Sequence, residues 1–428
     1  MEIEMTKEFS EVISSVKSGI NIFLTGNAGT GKTTLIKYIS KEVKNSVIVS
    51  PTGISAVNVG GMTIHSFFQI PFGEIHNPDK LYFDIKINKV KRDLINKIKL
   101  LIIDEVSMVR CDLLDSVDYV LRRIRNSKEP FGGVQLLLCG DLRQLSPVAK
   151  QDEYKILSEY YDSMYFFGSK ALQKTYYTLF ELTKLFRQVD KGFIDILNNV
   201  RNSVVDESDL EVINSRVGRC NVNESIFLTT HNYKAEELNK IGLNKLSGEE
   251  YIFEGFIKDN FSENILPNVR ELKLKIGAKV MFLVNKVGEY YNGQLGIVKN
   301  ISDDIIYVET NEKVVEVKRY VWDNIKYSYD EKTDEINSSS IGTFCQFPIK
   351  LAWAITIHKS QGLTFDKIII DCKDSFADGQ IYTALSRCKT LEGITLVEPL
   401  SLEHFNVKNS DEVDKYFESK KNLFDLFM

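Results

Sequence analysis

Apolar positions in the first 142 residues fall into short runs separated by amphipathic stretches, the pattern of strands alternating with helices. Residues 20–25 predict a strand, 31–40 a helix and 46–50 a second strand. Residues 86–99 predict a basic, exposed helix, 99–104 a buried strand, 113–124 an amphipathic helix and 134–140 a further strand. Such alternation implies a parallel sheet wrapped by helices. It returns later as a strand at 225–230, a helix at 233–245, a strand at 367–371, a helix at 379–385 and a strand at 393–398. In between, residues 250–345 show short alternating runs broken by Gly and Asn, the pattern of a small antiparallel barrel or sheet. The expected organisation is α/β: a first domain over 1–175, a second over 176–249 and 346–428, and a β-rich insert at 250–345. Residues 66–82, with Phe67 and Phe68 at their start, follow neither period and predict an excursion from the first domain.

Composition changes this picture little. The 428 residues are 43% hydrophobic and 26% charged, an ordinary globular mixture. The formal charge, 54 − 59 = −5, counts against a protein that coats nucleic acid, though not against a narrow basic groove. Six cysteines stand singly without a CxxC pair, which points away from zinc and from a disulfide framework. The N-terminus is polar and the longest apolar runs are strand-length, short of the ~20 residues a membrane helix needs. A cytoplasmic protein without membrane contact is expected.

The chemistry is concentrated at the ends of the predicted strands. Gly26-Asn27-Ala28-Gly29-Thr30-Gly31-Lys32-Thr33, with Thr34 following, joins a strand to a helix and fits the P-loop pattern. Backbone N–H groups there converge on phosphates, Lys32 reaches the β- and γ-phosphates, and the Thr33 hydroxyl ligates Mg²⁺. The buried run 100–103 delivers Asp104 and Glu105 to the edge where ligands bind. Asp104 is the second Mg²⁺ candidate and Glu105 the candidate general base for the attacking water. After the next strand, Gln144 is either a γ-phosphate sensor or part of a capped turn. Arg187 and Arg387 are either surface ion-pair partners or arginine fingers, worth about 10³–10⁵ in rate. ATP and Mg²⁺ are the implied cofactors.

Together these motifs resemble superfamily-one DNA helicases of the 5′→3′ branch, and among them the Pif family (petite integration frequency), with RecD-like and Dda-like enzymes next. The resemblance runs from about residue 6 to residue 400 and is most specific from Asp104-Glu105-Val106-Ser107-Met108 through Phe131-Gly132-Gly133 to Gly140-Asp141-Leu142-Arg143-Gln144-Leu145. It implies two RecA-like motor domains, Arg187 and Arg387 as a finger pair, and Gln144 as γ-phosphate sensor. Gln361 and Gly362 become nucleotide contacts. The DNA-contacting loops it implies hold Pro51, Thr52, Gly53, Thr63 and His65 in the first domain. In the second they hold Thr230, His231, Asn232, Thr356, His358, Lys359 and Ser360. Phe67 is a candidate for stacking a base, and the excursion at 66–82 a candidate wedge; core packing is the competing role for paired aromatics. The family's usual adenine-reading Gln is absent from Thr6-Lys7-Glu8-Phe9-Ser10, and Ser146 stands where the family has proline.

The expected activity is ATP-dependent 5′→3′ translocation on single-stranded DNA with unwinding of duplex, G-quadruplex or RNA–DNA hybrid, in repair, recombination or telomere maintenance. The expected protein is a monomer, self-associating at most on DNA. It is a stripped-down core of bacterial or phage type. The alternatives are a translocase that does not separate strands and a nucleotide-switched regulatory P-loop protein.

Overall fold

The computed structural model describes residues 4–70, 87–149, 151–184, 190–218, 225–286, 288–302, 304–330, 332–373, 375, 379–405 and 410–425. The first domain is built on six strands: β1 (Ile22–Gly26), β2 (Ser46–Ser50), β3 (Met62–Thr63), β4 (Leu100–Ile103), β5 (Gln135–Cys139) and β6 (Thr178–Leu182). They form one parallel sheet in the order β3-β2-β4-β5-β1-β6. Strands β1 and β4 are buried at every residue, as a parallel sheet covered on both faces requires. The order sets the carboxyl ends of β1, β4 and β5 side by side.

The sheet of the second domain begins at β7 (Ile226–Thr229), after helices that pack into the same core, and is interrupted by ten strands. These are β8 (Tyr251–Glu254), β9 (Phe256–Asp259), β10 (Glu271–Leu274), β11 (Lys279–Phe282), β12 (Leu295–Ser302), β13 (Ile305–Glu309), β14 (Val314–Val317), β15 (Tyr320–Asp330), β16 (Glu335–Gln346) and β17 (Ile349–Leu351). It resumes with β18 (Ala354–Thr356), β19 (Ile368–Ile370) and β20 (Ile394–Leu396), which join β7 in a parallel sheet ordered β18-β7-β19-β20. In the insert, β14-β13-β12-β11-β17 make one antiparallel sheet, β15-β16-β9 a second, and β8 pairs with β10. Strand β17 pairs with β11, so the insert's sheet runs past the expected limit at 345.

Three expectations change. The helix expected over 86–99 is Lys89–Lys97, and it buries Lys91, Leu94 and Ile95 rather than lying exposed. The long β15–β16 hairpin covers it and the start of β2: Lys97 pairs with Asp334 at 2.7 Å, the Tyr327 hydroxyl accepts from Ile48 N at 3.3 Å, and Ile336 N donates to Asn45 Oδ1 at 2.8 Å. The same hairpin seals Phe67 and Phe68, both fully buried, with Tyr327 edge-on to Phe67 at 5.9 Å. They are core residues here, not a base-stacking pair, and residues 71–82 of the expected wedge lie outside the described residues. The helix Ser410–Asp425, expected in the second domain, returns to the first: Tyr416 stacks on Phe167 at 4.3 Å and its hydroxyl meets that of Tyr177 at 3.0 Å.

Candidate active site and nucleic-acid interface

One wall of the site is the turn after β1. Gly26 sits at φ 141°, and a methyl group there would come within 2.4 Å of the Leu182 carbonyl on β6, so only glycine lets the strand leave the sheet at this point. The turn ends at Gly31, the left-handed N-cap of the helix Lys32–Glu42, with no side-chain cap. The first N–H groups of the helix are thus left to an anion, which the helix dipole also favours. Lys32 Nζ lies against the carbonyls of Gly26 at 2.7 Å and Asn27 at 2.9 Å. Asn27 donates to Asn198 Oδ1 on the helix Lys191–Arg201 at 2.9 Å, and Thr30 Oγ1 bonds back to Asn27 O at 3.0 Å.

Strand β4 supplies the carboxylates. Asp104 is buried, and burial pushes its carboxyl upward against the backbone N–H of Glu105, which donates at 3.0 Å. Glu105 holds φ 54°, a left-handed conformation that costs a non-glycine residue about 1–3 kcal/mol and is typical of functional positions. Burial, and then the charge of Asp104, push Glu105 up to about 7, the range in which a carboxylate works as a general base near neutral pH. After β5, Asp141 Oδ2 accepts from Gln144 Nε2 at 3.0 Å. Burial alone would raise Asp141, but Arg201 and then Lys32 outweigh it and hold the carboxyl below its ordinary range.

The opposite wall comes from the second domain. Gln361 Nε2 donates to Glu105 Oε2 at 2.8 Å. Gly379, at φ 75°, leads into the helix Gln380–Leu385; a methyl group there would stand 2.0 Å from the Gln144 carbonyl. At the end of that helix Arg387 is fully buried, its Nε donating to Thr383 O and an NH₂ to Ser386 Oγ, each at 2.7 Å. Burial lowers its guanidinium to about 10. A cavity of about 430 Å³ lies between the walls. Ala28, Gly29, Thr30, Gly31, Lys32, Thr33, Thr34, Glu105 and Gln144 line it from one side, and Gly362, Thr364, Arg387 and Lys389 from the other. Thr364 and Lys389 were not foreseen; Lys389, two positions beyond Arg387 on the same wall, was within reach of the motif. Arg187 lies outside the described residues.

The expected DNA loops also sit at strand ends, in two groups. Thr52 and Thr63 cap the short helices Gly53–Val59 and Ile64–Phe68, accepting from Ser55 N and Ser66 N, each at 3.2 Å. Pro51, Thr52, Gly53, Thr63 and His65 remain partly accessible, and burial lowers the His65 imidazole. Ile265 of the insert lies 3.2 Å from where a methyl group on Gly53 would be. In the second domain Asn232 and Lys359 are exposed and His231 and His358 half-buried. Thr230, Thr356 and Ser360 are buried and bonded within their own loops: Thr230 Oγ1 to His231 Nδ1 at 2.8 Å, Lys359 N to Thr356 Oγ1 at 3.3 Å, and Ser360 Oγ to Ile357 O at 2.7 Å. As placed, these three shape loops and present no hydroxyl to a phosphate. Among the described residues no helix is long and apolar enough to cross a membrane.

Residues 1–211 match the family model described as PIF1-like helicase, and residues 351–392 match that of the UvrD-like helicase C-terminal domain. The chain is 42% identical to Pif1 from Bacteroides sp in complex with ADP-AlF4, covering 98% of this chain and 99% of that one with a TM-score of 0.91. It belongs to the PIF1-like helicase family. The fold, two parallel-sheet domains facing a P-loop cleft, is the Pif1 fold. Bacteroides Pif1 bound to ssDNA, also 42% identical and matched over 98% of this chain and 99% of that one, agrees less closely, with a TM-score of 0.71. The ATP-dependent DNA helicase PIF1 of Danio rerio is 33% identical over 407 residues, 92% of this chain. The PIF1-like chain spans 61% of that relative's length.

Proposed function

We propose that this chain is an ATP-dependent DNA helicase that moves 5′→3′ along single-stranded DNA and separates duplex ahead of it. One contact carries the reading. Gln361 follows directly on the loop 356–360, and its amide reaches the candidate base Glu105 at 2.8 Å. The loop expected to grip DNA and the group expected to activate water are thus joined by a single hydrogen bond, so a shift in one is felt by the other. The names of the relatives agree: ATP-dependent DNA helicase for the Danio rerio protein, Bacteroides Pif1 bound to ssDNA, and DNA unwinding at forked dsDNA by two coordinating Pif1 helicases.

In this reading Gly26–Thr34, Gln361 and Gly362 hold ATP, Lys32 and Arg387 with Arg187 stabilise transferring phosphoryl charge, and Gln144 orients the attacking water. A magnesium ion fits the donor set of one hydroxyl, Thr33, and one buried carboxylate, Asp104, with phosphates and water completing the hard oxygen shell. When bound, it would neutralise phosphate charge. Single-stranded DNA crosses Pro51–Gly53, Thr63 and His65 on the first domain, then His231–Asn232 and His358–Lys359 on the second. The protein works as a monomer that self-associates at most on DNA. Strand separation on duplexes with a 5′ or a 3′ single-stranded tail tests the proposal, with ATP turnover measured alongside. Opening of 5′-tailed duplexes and DNA-stimulated turnover are expected; opening of 3′-tailed duplexes alone, or turnover indifferent to DNA, would overturn it.

A further inference from the structure

Arg201 closes the helix Lys191–Arg201, whose residues Phe193, Ile196, Leu197 and Val200 pack into the second-domain core. Its guanidinium nevertheless points out of that core. One NH₂ approaches Asp141 Oδ1 at 3.4 Å and the other Glu181 Oε1 at 3.2 Å, both on the first domain. The Arg201 side chain is only 10% exposed and that of Asp141 1%. The same Asp141 takes Arg143 N on Oδ1 at 3.1 Å and Gln144 Nε2 on Oδ2 at 3.0 Å. An ionised carboxylate can only accept, so it selects the NH₂ end of the Gln144 amide and leaves the carbonyl oxygen to other partners, on a side chain that lines the cavity. That oxygen is able to accept a hydrogen bond from an attacking water and so orient it, while the proton goes to Glu105.

We infer that Arg201 is a positioning residue for hydrolysis: carried by the second domain, it locks Asp141 and through it the orientation of Gln144 when the cleft is closed. Opening the cleft would exchange the Arg201 guanidinium on Asp141 for water and release its hold on the carboxylate, so closure and the alignment of Gln144 become one event. This rests on reading the cleft as an ATPase site.

The test is a double-mutant cycle on ATP turnover, with and without single-stranded DNA, using Arg201→Met, Gln144→Ala and the pair. Arg201→Met should lower kcat about 10- to 100-fold, the scale found when an outer partner of an active group is removed. The KM for ATP should move less than about threefold, since binding in the ground state is not what is lost. Arg201→Lys should restore part of the turnover, and the double variant should be no slower than Gln144→Ala alone. Should the Met variant not fold, Arg201→Lys carries the same cycle. Additive losses, a KM rising in step with the fall in kcat, or unchanged turnover would overturn the inference. A wild type that ignores DNA breaks the helicase reading while leaving the cycle readable on basal turnover; a wild type that hydrolyses no ATP breaks both.

Discussion

Two of the faces on which the first domain meets the rest of the chain are built from different materials. At the cleft the contacts are few and polar: Gln361 to Glu105, Asn27 to Asn198, Arg201 to Asp141. At the β15–β16 hairpin a buried aromatic contact is added to the polar ones at its rim: Tyr327 against Phe67, with the Lys91 ammonium 3.5 Å from the centre of the Phe67 ring. Polar partners can be exchanged for water or phosphate at small net cost, because a hydrogen bond lost on one side is regained on the other. Buried aromatic area has no such substitute. The cleft is therefore suited to open and close with nucleotide, while the hairpin face stores its energy in packing.

The strongest way to break this comparison is at the preformed wall of the cleft. Lys32→Ala is expected to lower steady-state ATP turnover by at least about 10³-fold, on the scale of other cations at a transferring phosphoryl group. Affinity for single-stranded DNA, read by fluorescence anisotropy, should stay within about threefold, under 1 kcal/mol. Loss of both together would mean that Lys32 holds the fold rather than the phosphates.

Next comes the wall supplied from the second domain. Arg387→Ala should cut kcat by about 10³-fold, the lower end for an arginine finger. Affinity for a non-hydrolysable ATP analogue should fall less than about tenfold, or 1.4 kcal/mol. Equal losses in rate and affinity would make the two walls equivalent in the ground state and remove the case for closure.

The smallest effect is expected at the hairpin, and its sign follows from Lys91. Burial, and then the nearby Lys326, lower its ammonium to about 7, far below its value in an unfolded chain. Folding at neutral pH must therefore deprotonate Lys91 or bury its charge. Stability from this group is complete above the unfolded value, about 10.4, and is lost as pH falls toward 7, levelling below it. Lys91→Met should raise Tm by a few degrees near pH 7, corresponding to about 1 kcal/mol, and the gain should shrink as pH rises toward 10. A gain independent of pH would assign the effect to packing alone.

The reach of the sequence differed between these faces for a physical reason. The P-loop, Asp104 and Glu105 were legible because each is a local arrangement: glycines that must turn, a lysine at a fixed offset, carboxylates at the end of a four-residue aliphatic strand. Gln144 and Arg387 stood only as alternatives until the resemblance to a known family weighted them, since nothing adjacent in the chain shows what they face. Arg201 gave no local signal at all. It ends an ordinary helix, and its partners Asp141 and Glu181 lie 60 and 20 residues away.

Burial was the other blind spot. Phe67 has the same neighbours in sequence whether it stacks a base or fills a core, and a hairpin some 260 residues distant decided the matter. Thr356 and Ser360 carry hydroxyls suited to phosphates, yet turn them on their own backbone. By itself the sequence determined the periodicity of both parallel-sheet domains, the β-rich insert and the phosphate cradle, because strand pairing period, glycine turns and motif spacing are local. Only the tertiary structure decided which helix the hairpin covers, that the last helix returns to the first domain, and which side chains of the second domain complete the cleft. Those outcomes depend on which distant surfaces bury one another, and no local pattern encodes that.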